Sequence, residues 1–82
     1  MTDEFEAALP LIIEIAVWCE AHAERQTVTV QELSAALGRR RAELYRAFDL
    51  MGLQPATWEA PDEYALGDII EVATRHEVAH RA

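Results

Sequence analysis

Arg39, Arg40 and Arg41 stand side by side, with Arg46 five residues further on, in a chain whose seven bases are all arginine. Each guanidinium offers its donors in a planar fork, a shape that grips a phosphate or a carboxylate through two parallel hydrogen bonds. The cluster falls where a helix is expected to begin, and cations there oppose the helix dipole by about 0.3–1 kcal/mol each when exposed. An arrangement that costs stability is set up for an anion, either a nucleic-acid phosphate or the carboxylate of a protein partner. The plainer reading is that these side chains pair with the chain's own surplus acids, as surface arginines commonly do for little gain.

Other reactive types are sparse. Cys19 and His22 lie at i, i+3, and His76 and His80 at i, i+4, so two docked helices could present four zinc ligands. Neither spacing is a recognised finger pattern. Cys19 falls within an apolar stripe, as a buried small hydrophobe does, and the two late histidines sit near a helix C-terminus, where imidazole complements the dipole. No metal and no cofactor are expected. Ser34, the only serine, lies inside a helical stripe, and there is no Gly-rich phosphate loop. No carboxylate pair is marked by an apolar pocket that would split its pKa values. The chain is not expected to be an enzyme.

The 82 residues are read as one domain, 1–82, with no room for a second core. Being 51% hydrophobic and 27% charged, the chain has the composition of a folded protein and not of a disordered tail. A single cysteine excludes an internal disulfide. Net charge is −8, which weighs against indiscriminate binding to nucleic acid or anionic membranes. The charge is uneven, however. Residues 1–26 hold six acids and one arginine, residues 27–53 three acids and four arginines, and residues 54–82 six acids and two arginines. Only the middle third is approachable by an anion. The longest apolar run is broken by Pro10 and Glu14, so no membrane span is expected. The acidic start, Thr2-Asp3-Glu4, is unlike a secretory leader, and a cytoplasmic location is the expectation.

These residues need elements to position them. The first third predicts a helix from about Leu9 to Arg25, to which Asp3–Ala8 can add a turn, with Pro10 suited to a first helical turn. On a 100° wheel Phe5, Leu9, Ile12, Ala16, Cys19 and Ala23 form one apolar stripe, and Leu11, Ile15 and Trp18 a second beside it. Ile13 and Val17 lie on the far side among Glu6, Glu20 and Glu24. Thr29 and Glu32 have the spacing of a capping box, with Val28 and Leu33 at the staple positions. The helix they open, with Val30, Leu33, Ser34 and Leu37 on one side, closes at Gly38. Another runs from about Arg40 or Arg41 to Met51 on the stripe Leu44, Ala47, Phe48, Met51, and ends at Gly52. Gln54–Pro61 reads as a loop with Trp58 tucked onto the core. A last helix is expected from Pro61 to about His76 or His80, with Leu66, Ile69, Ile70 and Ala73 inward. Thr27–Val30 is the only strand candidate, and its capping box explains it better.

Residues 27–53, TVTVQELSAALGRRRAELYRAFDLMGL, resemble the helix-turn-helix of bacterial and phage DNA-binding regulators. The likeness rests on Leu33, Ser34, Leu37, Gly38, Leu44, the run Glu43-Leu44-Tyr45-Arg46-Ala47 and the ending Gly52-Leu53. Arg39 and Arg40 stand where the family pattern carries an apolar residue and a Ser or Thr cap. The resemblance implies that Arg41, Ala42, Tyr45 and Arg46 face the major groove, while other arginines and backbone N–H groups hold phosphates. Arg39, Arg40, Arg41, Ala42, Tyr45 and Arg46 are thus the candidate binding residues.

The fold expected is all-α, four or five short helices around a central tri-helical helix-turn-helix unit. The apolar arc of the first helix is wider than one small domain usually hides. Leu11, Ile15 and Trp18, which Tyr64 can join, are therefore expected in a homodimer interface or against another partner; the alternative is that Trp18 and Trp58 together fill the core. The leading function is a small dimeric DNA-binding transcriptional regulator. The alternative is an acidic protein-interaction module on the same scaffold: a phage-type inhibitor mimicking nucleic-acid charge, an adaptor or an antitoxin-like partner, binding an Arg/Lys-rich or an acidic protein.

Overall fold

The computed structural model describes the backbone of residues 2–81 and the side chains of residues 4–75. The chain runs α1 (Thr2–Ala21), β1 (Thr27–Thr29), α2 (Val30–Leu37), α3 (Arg41–Leu50), β2 (Glu63–Ala65) and α4 (Leu66–Arg81). It is mostly helical, in keeping with the all-α expectation at that coarse level, with one small two-stranded sheet added. β1 and β2 pair antiparallel in the register Thr27↔Ala65, Val28↔Tyr64, Thr29↔Glu63. Each strand turns one buried residue inward, Val28 and Tyr64, which face each other across the ladder. Three residues are too few to show an alternation.

The capping box and the strand coexist. Thr29 ends β1 and caps α2, its Oγ1 accepting from the Glu32 N–H at 3.1 Å while the Glu32 carboxylate accepts from the Thr29 N–H at 3.1 Å. The two strands also serve the helices that follow them. A helix start leaves its first N–H groups without partners. Here Val30 N–H donates to the Asp62 carbonyl at 2.9 Å, and Leu66 N–H to the Gln26 carbonyl at 3.0 Å. This cross-strand tie is why α4 begins at Leu66 and not at Pro61.

The first helix begins at Thr2, well before Leu9, and passes through Pro10. Phe5 and Ala8 pack against the core, which stabilises the added turns. The Glu6 carbonyl that Pro10 deprives of a donor lies on an exposed side, within reach of water. α1 packs against α4, α3 and α2. The core consists of Ile12, Ile15 and Cys19 from α1, Val28, Val30 and Leu33, Leu44 and Phe48 from α3, and Ile69 from α4, all essentially inaccessible. Phe48 stacks on Tyr64 with ring centres 4.3 Å apart.

Two further expectations change. Leu11 and Ile15 are buried inside the single chain by the helices packed on α1, so neither is available to a second copy. Trp18 is half-buried and stacks on His22 at 4.0 Å. Trp58 does not reach the core and is 89% exposed. Its loop closes on itself, with Ala60 N–H donating to the Thr57 carbonyl at 3.3 Å and Ala56 N–H to the Glu63 carbonyl at 2.7 Å, so residue 58 sits at the tip. Among the described residues no helix is long and apolar enough to cross a membrane.

Candidate nucleic-acid interface

The turn between α2 and α3 fixes everything beyond it. Gly38 takes a left-handed conformation at φ 66°, where a side chain would be strained. Gly38 N–H and Arg39 N–H both donate to the Ser34 carbonyl, at 3.0 and 3.3 Å. The Ser34 hydroxyl donates in turn to the Arg39 carbonyl at 2.6 Å. Its one small polar side chain thus bolts the exit of the turn to α2.

Arg40 follows in an extended conformation and occupies the cap of α3. A guanidinium has no acceptor, so half of a capping box is missing. The other half is present: the Glu43 carboxylate accepts from the Arg40 N–H at 3.1 Å. At its far end α3 stops on Gly52, φ 74°, with Gly52 N–H bonded to the Asp49 carbonyl and Leu53 N–H to the Phe48 carbonyl, both at 3.0 Å. That double bond pattern is a Schellman stop. Between these fixed ends Leu44, Ala47 and Phe48 point inward, while Arg41, Ala42, Tyr45, Arg46 and Asp49 face solvent.

The predicted site residues therefore lie on one turn and one helix face, with one divergence. Arg39 turns back towards α1, where its guanidinium meets Glu14 at 2.7 Å and Glu43 at 3.8 Å. The hydrogen bond that Arg39 donates to Glu14, before any other influence, raises the Arg39 pKa. Arg46 reaches the other way along α1 and pairs with Glu4. Arg40 and Arg41 form no ion pair with a described residue, and Ala42 and Tyr45 are open beside them. The expected pairing of arginines with surplus acids thus occurs for two of the four.

Sequence reasoning missed the surroundings of this face. The outer side of α3 and the start of the following loop share an open concavity lined by Ala42, Tyr45, Arg46, Asp49, Gln54 and Tyr64. Burial, followed by the nearby Tyr45, Asp49 and Asp62, raises the Tyr64 pKa. Trp58 then projects from the tip of that same loop. The only signal for it was an aromatic isolated among Ala56, Thr57, Glu59 and Ala60 between two prolines, with no partner at helical spacing.

Cys19 and His22, half of the metal-like spacing, each have a local role. Cys19 is inaccessible, and burial pushes its thiol up to about 12. His22 Nδ1 donates to the Trp18 carbonyl at 2.8 Å. Among the described residues no three His, Cys, Asp or Glu side chains converge, and the side chains of His76 and His80 lie outside those residues.

No known protein family matches this chain, and no curated protein or solved structure does either.

Proposed function

We propose that the chain is a helix-turn-helix DNA-binding regulator that reads duplex DNA with the solvent face of α3. One observation carries this reading. Arg40, Arg41, Ala42, Tyr45 and Arg46 form a continuous exposed surface at the start of a helix whose entry is locked by Ser34 and Gly38. In such units the second helix lies in the major groove and its first residues touch base edges. Arg41 and Arg46 are suited to guanine, whose two acceptors match the guanidinium fork, and Arg40 to a phosphate. Arg39 and Arg46 are held by exposed carboxylates, and exposed pairs of that kind are weak enough to exchange for phosphate. With a net charge of −8, nonspecific attraction is small, so binding depends on the matched site.

The test is selection of duplexes from a random-sequence pool, followed by fluorescence anisotropy on the enriched sequence. Arg41→Ala should cost roughly 1–3 kcal/mol on the preferred site and relax the choice of base there. Arg40→Ala should weaken all sequences alike and lower the salt dependence by about one phosphate contact. Failure of any duplex to be enriched, or equal binding by the Arg40, Arg41, Arg46 triple alanine variant, would remove the reading.

A second reading is favoured by a specific feature. Asp49 stands on the same exposed face and would meet phosphates poorly. An acidic protein-interaction module, with α3 gripping a partner's carboxylates, accommodates it. That reading predicts no duplex enrichment and a protein ligand lost in the same triple variant.

A further inference from the structure

The side of α1 that faces away from the core combines two features that exclude each other on most surfaces. Ile13 and Val17, one turn apart, are 44% and 60% exposed. They form an aliphatic ridge with a groove on each flank, an apolar one completed by Trp18, Ala21 and Leu37 and a mixed one in which Leu9 and Ala73 are joined by Glu20 and Thr74. On the 100° wheel Glu6 and Glu20 fall on the same line as this ridge, above and below it. Glu24 follows just past the helix end. Glu6, Glu20 and Glu24 are exposed, and none is ion-paired with a described residue. Among the described residues, Arg25, which also feels the charge of Glu24, is engaged by Glu32 at 2.6 Å, and Arg39 by Glu14 at 2.7 Å.

We propose that this face docks a basic amphipathic helix of a partner protein, with aliphatic side chains of the partner entering the two grooves and its Lys or Arg residues meeting Glu6, Glu20 and Glu24. The charge decides the occupant. A second copy seated through a two-fold axis would set carboxylates against carboxylates, between chains that each carry −8. A cationic helix removes apolar surface from water and pairs the acids in one step. From Glu6 to Glu20 is 14 residues, about 21 Å along the axis, which suits an occupant of about four turns. This surface lies apart from the α3 face and does not depend on the DNA reading.

The experiment uses the full chain and three synthetic 15-residue peptides, titrated by calorimetry. One has Leu at i, i+3, i+4 and i+7 with flanking Lys and Arg, the second the same residues in scrambled order, and the third Glu in place of every base. The ordered basic peptide should bind at least tenfold more tightly than the other two. Ile13→Asp and Val17→Asp should each weaken it at least tenfold. The Glu6→Lys, Glu20→Lys double variant should reverse the preference towards the acidic peptide, which holds the test open even if an Asp variant unfolds. Arg41→Ala should leave peptide binding unchanged while altering any DNA binding. Equal binding of the scrambled peptide, or indifference to Val17→Asp and to the charge reversal, would overturn the proposal. So would a concentration-dependent dimer in sedimentation that Val17→Asp dissolves, since the second copy would then be the occupant.

Discussion

On α3 and the turn before it the arginines are partly balanced from within, since Glu14 holds Arg39 and Glu4 lies against Arg46. On the outward side of α1 the reverse holds: Glu6, Glu20 and Glu24 form no ion pair with a described residue, and Ile13 and Val17 are exposed between Glu6 and Glu20. Both surfaces are exposed faces of helices docked on one core. A net charge of −8 describes neither. α1 supplies the acids that pair with Arg39 and Arg46 on one side and, among the described residues, acids without an ion pair on the other, so this single helix shapes both faces. A chain with an overall negative charge thereby keeps an arginine-bearing face and a carboxylate-bearing face apart.

The contrast breaks most completely from below. Leu44→Ala empties a fully buried site on the inner side of α3 and should cost about 2–5 kcal/mol. That is a large share of the stability of a domain this small. Urea unfolding should show the loss, and both faces should fail together.

A milder cut separates folding from recognition. Thr29→Ala removes the acceptor for the Glu32 N–H and should cost about 0.5–2 kcal/mol by thermal or urea unfolding. The α3 surface, set by the Ser34 bolt further along, should keep its ligand affinity wherever the protein remains folded.

Removing the internal balance sharpens the comparison. Glu4→Gln with Glu14→Gln frees Arg46 and Arg39 and takes two negative charges from beside the α3 face. DNA affinity in the anisotropy assay should rise severalfold, with little change in melting temperature. Basic-peptide binding on the other side of α1 should stay the same.

The smallest expected effect is on the acid side of neutral pH. The hydrogen bond from Arg25, then that from the Thr29 N–H, holds the Glu32 carboxyl below its ordinary value near 4.5. A depressed carboxylate stabilises the fold above the unfolded-state pKa, and that contribution is lost as pH falls through the folded value. Melting temperature should therefore decline slightly below about pH 4.5, and Glu32→Gln should flatten that limb. Cys19 works at the other end. Its thiol keeps the proton up to about 12 in the fold but only to about 9 once unfolded, so stability should fall as pH rises between them. Iodoacetamide should label Cys19 only under denaturing conditions.

What could be read in the residues was whatever local spacing enforces. Thr29 and Glu32 do form the reciprocal cap, Val28 and Leu33 are both buried, and Gly38 is left-handed. The stripe Leu44, Ala47, Phe48, Met51 is the inner face of α3 and the bottom of its cap. Each is decided within eight residues. The rest depends on partners far along the chain. β1 exists because Tyr64 comes to lie opposite Val28, thirty-six positions away. Leu11 and Ile15 form a stripe fit for a partner until the helices packed on α1 bury them. Trp58 looked like a core residue by type, and only the backbone bonds of its loop send it outward. On the candidate site, spacing placed the arginines on one turn and helix but could not tell which of them α1 would neutralise.

Amide chemical-shift mapping with an enriched duplex tests the division of labour most directly. The account predicts that resonances of Arg40, Arg41, Ala42, Tyr45 and Arg46 move or broaden on titration, with smaller changes at Trp58, while Ile13, Val17 and Glu20 hold still. Shifts centred on the outward side of α1, with the α3 face unmoved, would contradict it.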